Sequence, residues 1–240
     1  MFADRFNGSK YASLHSLYSI SLEHIFPHGN DHHDDDKIIR DVVGTIVVVS
    51  TRDPLPVEAL VTLLENDVKD RLYHPPYYRL DSLRSVLHKD ARHGNAIRVC
   101  HPSFIDFLTD CARCSARFFV DIPHPTLLWR ICLRTMIIVL KFNICTQESS
   151  HRFNNDVADL DARMKRAISV DLGYGCMHWP SDVGDASSKE QPCKRISDPL
   201  KCFFSGAQSL YWPEARTRSW LYRSNSITGN LLVVKICFCY

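Results

Sequence analysis

The chain has 240 residues, 45% of them hydrophobic and 23% charged, which is enough apolar material for one large domain or two small ones with their own cores. Its 29 basic and 27 acidic residues leave a formal charge of +2, a balance that argues against a dedicated nucleic-acid surface or a polybasic membrane surface. Ten cysteines are too dilute for a disulfide scaffold, and Met1 to Tyr11 carries Asp4 and Arg5 but no apolar run of the export-signal kind, so reduced thiols and a cytoplasmic location are expected.

In chain order, Leu14, Leu17, Tyr18, Leu22, Ile25 and Phe26 recur at steps of three and four, so residues 12–26 read as an amphipathic helix that Pro27 and Gly29 stop. His28 to Lys37 is dense in His and Asp, lacks a hydrophobic period, and reads as a solvated linker. Ile38, Ile39, Val42, Val43, Ile46 and Val47 return to helical spacing, and the period outweighs the strand preference of their β-branched side chains. Pro54 and Pro56 open a second helix whose buried face is Val57, Leu60, Val61, Leu64, Val68 and Leu72. The Tyr73 to Tyr78 cluster breaks the chain, and Leu80, Leu83, Val86 and Leu87 supply a third apolar stripe.

Lys89 to Asn95 is turn-forming, and Ile97 to Cys100 alternates as a strand does, which predicts a β-hairpin. Three helices followed by a hairpin is the order of a winged-helix domain. Pro102 then opens a further helix with Phe104, Phe107 and Leu108 on one face. Helices are also expected over 126–142 and over 156–172, where Val157, Leu160, Met164, Ile168 and Leu172 keep the spacing. The run Leu127 to Leu140 is interrupted by Arg130 and Arg134 and falls short of the ~20 residues of a membrane span, so it reads as a buried helix of a bundle. From Gly184 the composition turns to Ser, Asp, Lys, Gln and Pro with no reliable period, and Leu231 to Tyr240 reads as an edge strand or an aggregation-prone end. The fold class expected is therefore mainly α: a leading helix and linker over 1–37, a winged-helix domain over 38–110, a helical arm over 111–183 and an irregular tail over 184–240.

Few residues offer chemistry. The nine glycines form no phosphate loop, so nucleotide hydrolysis by this chain alone is not expected. His28, His32, His33, Asp34, Asp35 and Asp36 have metal-ligand side chains, but nothing fixes a coordination geometry in a charged linker. Cys111 and Cys114 have zinc-site spacing without a second pair. Cys100, His101 and Asp106 form only a superficial nucleophile, base and orienter set, because neighbours on a strand point to opposite faces. No catalytic residue and no metal site are expected. His101 is the one candidate: it stands where the hairpin ends and a helix begins, beside unsatisfied amides that suit a phosphate. The competing structural reading, in which it only satisfies a backbone carbonyl, is the simpler one on chemistry alone.

The segment His101-Pro102-Ser103-Phe104-Ile105-Asp106-Phe107-Leu108 resembles the His-x-Ser-Phe-x-Asp-Phe-Leu signature that follows the NACHT module in fungal STAND proteins, the vegetative-incompatibility-like receptors. The resemblance spans about residues 12–180. It includes Leu14 to Leu22, Val42 to Val47, Leu83 to Leu87, Cys132 to Met136, Leu140 to Cys145 and Tyr174 to Trp179, in the family's order. The chain departs from the family at Tyr73 to Tyr78 and near Ser181 and Asp182, where the family has a histidine. The family's nucleotide-binding domain and its WD or tetratricopeptide repeats have no counterpart here.

The resemblance implies a non-catalytic regulatory segment, with His101 matching the winged-helix histidine that contacts the phosphate of bound ADP. ADP or ATP would be bound only with a NACHT module supplied by a parent or partner chain, so the partner it implies is a protein. A nucleic-acid-binding winged helix, with Arg79, Arg84, Lys89 and Arg92 on phosphates, is the alternative, and the near-neutral charge disfavours it.

Overall fold

Apolar residues spaced three and four apart dominate the chain, and the architecture follows that period: mostly helix, with one small antiparallel hairpin. The computed structural model describes residues 7–27, 33–68, 83, 85–91, 94–120, 125–149, 151, 156–187 and 194–227. The elements are α1 (Asn7–Ile25), α2 (His33–Arg52), α3 (Val57–Val68), β1 (Leu87–Asp90), β2 (Ala96–Val99), α4 (Pro102–Leu108), α5 (Pro125–Val139), α6 (Leu160–Ala167), α7 (Val170–Ser187), α8 (Lys194–Ser205) and α9 (Gln208–Ile227).

α1 buries Tyr18, Leu22 and Ile25, with Phe26 just beyond its end, but Leu17 and Ile20 face solvent, so the expected stripe is narrower by one residue. Its buried face packs on α4, where the Tyr18 ring meets Phe104 edge-on at 5.1 Å. α2 is helical as its period predicts, and every residue from Val42 to Val47 is buried, because a helix apolar around most of its girth must lie inside. Thr45, the buried hydroxyl in this run, donates to the Asp41 carbonyl at 2.7 Å. The start of α2 corrects the linker reading: His33 to Lys37 is helix, in keeping with the preference of acidic residues for a helix N-terminus. Residues 28–32 lie outside the described residues.

α3 buries Ala59, Leu60, Leu63 and Leu64, while Leu72 and Leu80 lie outside the described residues. The third apolar stripe is corrected where it can be seen. Leu87 opens β1 and Leu83 and Val86 pack into the core from a tight turn, since the backbone groups of Leu87 to Asp90 are used by the hairpin ladder. The register pairs Leu87 with Val99 and Asp90 with Ala96. Gly94 and Asn95 take φ of 65° and 60° at the turn, a left-handed pair that glycine and asparagine tolerate best. A third segment joins the hairpin: the Ile97 N–H donates to the Leu55 carbonyl at 2.8 Å.

α5 is the central helix of the second half. Leu128, Trp129, Ile131, Cys132, Leu133 and Met136 are buried in it, and it packs chiefly against α7. The helix expected over 156–172 is two helices. Ile168 takes an extended conformation (φ −114°, ψ 97°), closing α6 and letting α7 start at Val170 in a new direction. The tail reading is also corrected: α8 and α9 are helices, and Phe203, Ala215, Arg218 and Ser219 are buried. Pro199 and Pro213 sit inside them and hide the helical signal, because proline in a helix interior removes a backbone donor. Leu231 to Tyr240 lies outside the described residues. The buried apolar residues form one cluster that runs from Tyr18 in α1 to Ala215 in α9.

Candidate functional site

His101 is exposed at the junction of β2 and α4, with extended backbone (φ −146°, ψ 135°), and it is the N-cap of α4. Its Nδ1 accepts the Ser103 N–H at 3.1 Å and lies 2.7 Å from Ser103 Oγ. An amide can only donate, so Nδ1 carries no proton in this arrangement, and the neutral ring bears its proton on Nε2. The Ser103 hydroxyl then donates to the same Nδ1 lone pair, which it shares with the amide. The Tyr18 hydroxyl, 2.9 Å from Ser103 Oγ, donates in turn to that oxygen. The resulting chain runs from α1 through α4 to an exposed imidazole whose Nε2–H is not used by the cap.

The sequence reading that placed His101 at a helix start matches this geometry. The competing structural reading differs only in the group satisfied: the ring accepts a backbone amide proton rather than donating to a carbonyl. Asp106 is exposed within α4. Cys100 is exposed, and partial burial raises its thiol above the ordinary value, which is the wrong direction for a nucleophile. Among the four phosphate-contact residues of the nucleic-acid alternative, Lys89 is exposed on β1, and Arg79, Arg84 and Arg92 lie outside the described residues.

Cys111 is exposed and Cys114 is buried, and burial pushes the Cys114 thiol up to about 12. No group of three or more His, Cys, Asp or Glu side chains gathers among the described residues. Asp36 points elsewhere. It accepts from Arg117 Nε at 2.7 Å, while Arg117 Nη1 and Nη2 donate to the carbonyls of Phe26 (2.6 Å) and Pro27 (3.1 Å). One guanidinium thus ties the C-terminal end of α1 to the first turn of α2, where its charge also suits the carbonyl end of a helix. The Arg117 side chain is 8% exposed. Sequence reasoning missed this latch because its partners lie 81 to 91 residues away.

A second long-range contact holds α7 to the end of α2: His178 Nε2 and Asp53 Oδ2 are 2.9 Å apart, and the His178 ring lies 4.5 Å from that of Tyr174. His178 thus sits at a contact between elements, whereas His101 makes a local cap. No helix among the described residues is long and apolar enough to cross a membrane. No family model matches the chain, and neither a curated protein nor a solved structure matches it.

Proposed function

We propose that this chain is a non-catalytic regulatory segment of a STAND-type switch, acting in the cytoplasm, in which His101 senses the phosphate of a nucleotide held by a NACHT module on a parent or partner protein. The observation that carries this reading is the Tyr18–Ser103–His101 hydrogen-bond chain. Capping engages Nδ1 and leaves Nε2 of an exposed imidazole outside the cap, so the ring is held before any ligand arrives. The other end of the chain is on α1, the helix that in the resemblance leads out of the nucleotide-binding domain. A phosphate drawn to or withdrawn from His101 would then bias the seating of α1, and such differential contact is what moves a two-state equilibrium. Arg117 holds the far end of the same helix.

The test is 5′ sequencing of the native transcript followed by ADP binding to the protein it encodes. The expected result is a phosphate loop upstream of Met1 and about tenfold weaker ADP binding in His101→Ala, the loss of one charge-assisted contact. A transcript without a phosphate loop, together with no ADP-dependent cross-link to a NACHT-bearing chain, would overturn the reading.

A further inference from the structure

The turn that follows α4 carries two thiols of unlike exposure. The Asp110 carbonyl accepts the Arg113 N–H at 3.0 Å and the Cys114 N–H at 2.9 Å, so residues 111–114 follow one helical turn. The Asp110 side chain fastens that turn: its Oδ1 accepts the Ala112 N–H at 2.9 Å and its Oδ2 pairs with Arg113 Nε at 2.8 Å. Helical geometry sets Cα atoms three residues apart at about 5 Å, inside the roughly 4.4–6.8 Å that a disulfide spans. Cys111 is exposed, while Cys114 is 5% exposed and belongs to the core cluster. One sulfur is therefore open to a reagent, and the other is shielded from it.

We propose that Cys111 and Cys114 are a thiol–disulfide exchange site for small disulfides of the glutathione class, and that their oxidation loosens the Arg117 latch. The Cys111 thiolate attacks one sulfur of the small disulfide, which breaks its S–S bond, forms a mixed disulfide and releases one thiolate. Cys114, three residues on, then attacks the Cys111 sulfur, the mixed disulfide breaks, and a second thiolate leaves. The two cysteine protons end on the two released thiols, so the protein pair loses two electrons and the small disulfide gains them. Burial pushes the Cys114 thiol up to about 12, which makes this second exchange the slow one.

The coupling to the latch is steric. Side chains three apart on a helical turn have Cβ atoms about 5–6 Å apart, and a disulfide needs about 3.8 Å, so closure tightens the turn and draws Cys114 toward Cys111. Arg117 stands three residues after Cys114, and its bonds to Asp36, Phe26 and Pro27 are 2.7, 2.6 and 3.1 Å long. The intervening Ala116 carbonyl accepts from Arg40 on α2 at 3.2 Å. A displacement of about 1 Å along these bonds takes them beyond hydrogen-bond range. The site uses no residue of the His101 chain and stands or falls independently of the nucleotide reading.

The test incubates the reduced full chain with glutathione disulfide, blocks the remaining thiols with N-ethylmaleimide and maps the cysteines by unreduced tryptic digestion. Arg113 lies between the two cysteines, so a disulfide holds together one peptide ending at Arg113 and one starting at Cys114 until reductant is added. That link is expected in the wild type, with a lasting glutathione adduct on Cys111 in Cys114→Ser and about tenfold slower modification of Cys114 in Cys111→Ser. Cys111 is exposed, so its variant keeps the fold even where Cys114→Ser does not. Exchange of the Phe26 amide, which donates to the Leu22 carbonyl at the end of α1, should quicken about tenfold in the oxidised protein. Absence of the link in the wild type, modification of Cys114 that is as fast in Cys111→Ser, or Phe26 exchange unchanged by oxidation would each overturn the proposal.

Discussion

Replacing Arg117 by Met keeps most of the aliphatic stem and deletes the guanidinium, which isolates what the latch between α1 and α2 contributes. The wild-type side chain makes three hydrogen bonds, two to backbone carbonyls and one to Asp36, and stacks its charge over the Phe118 ring at 5.2 Å. Losing one member of a buried ionic network costs about 3–5 kcal/mol in general. Asp36 is 34% exposed and regains water when its partner leaves, so the lower end applies, about 3 kcal/mol. For a chain of this size that corresponds to a fall in Tm of roughly 6–12 °C. Arg117→Lys should recover less than half of the loss, because one ammonium cannot reach three acceptors held in a fork.

Urea unfolding followed by tryptophan fluorescence gives the free energy directly, and the slope should not change if both states keep their compactness. Because the guanidinium is enclosed, the difference between the variants should persist in 1 M salt, where the Debye length is only about 3 Å. A destabilisation below about 0.5 kcal/mol for Arg117→Met, the range of an ordinary surface substitution, would refute the claim that this residue fastens the two helices.

Other variants test other joints. In a double-mutant cycle on His178→Ala and Asp53→Ala, the pair should show a coupling of about 1 kcal/mol by chemical denaturation, and additive effects would mean that the bond does not hold α7 to α2. Ser103→Ala removes the middle of the Tyr18–His101 chain and should cost about 1–2 kcal/mol, with a change in the His101 ring-nitrogen shifts that a purely steric effect would not give. Gly175 sits on α7 where a Cβ would meet Cys132 at 3.5 Å, ordinary contact, so Gly175→Ala should stabilise by about 0.5–1 kcal/mol through helix propensity, whereas Gly175→Leu should destabilise by about 1–3 kcal/mol through overpacking. Burial pushes the Cys176 thiol up to about 12 from 9.0. Its folded pKa is the higher one, so its contribution is complete below pH 9 and is lost as pH rises toward 12, at up to about 1.4 kcal/mol per pH unit. Cys176→Ser should flatten that alkaline loss in unfolding curves taken from pH 8 to 11.

Sequence reasoning succeeded where the evidence for an element lies within the element. The β-branched run of α2 was legible as helix because Ile39, Val42, Val43, Ile46 and Val47 return at helical spacing, and all five are buried. The hairpin was legible from Gly94 and Asn95, and α4 from Pro102, since each residue acts on its own backbone. It failed where a single residue changes direction or a distant one decides. Leu160, Met164 and Leu172 keep a common spacing through Ile168, so nothing local announced the break. α8 and α9 were hidden by Pro199 and Pro213. Of the candidate site, His101 and its place at a helix start were readable, but its tie to Tyr18 spans 85 residues from Ser103.

The buried cysteines also make the molecule its own clock. Among the described residues, Cys100, Cys111 and Cys202 are exposed, while Cys114, Cys132, Cys145 and Cys176 are buried in the same core. A thiol reagent must wait for each buried site to open, so the order in which these four react under native conditions ranks the local opening free energies of the loop after α4, of α5, of the loop that follows it, and of α7. If Cys132 and Cys176, which lie on the two most closely packed helices, react together, α5 and α7 open as one unit.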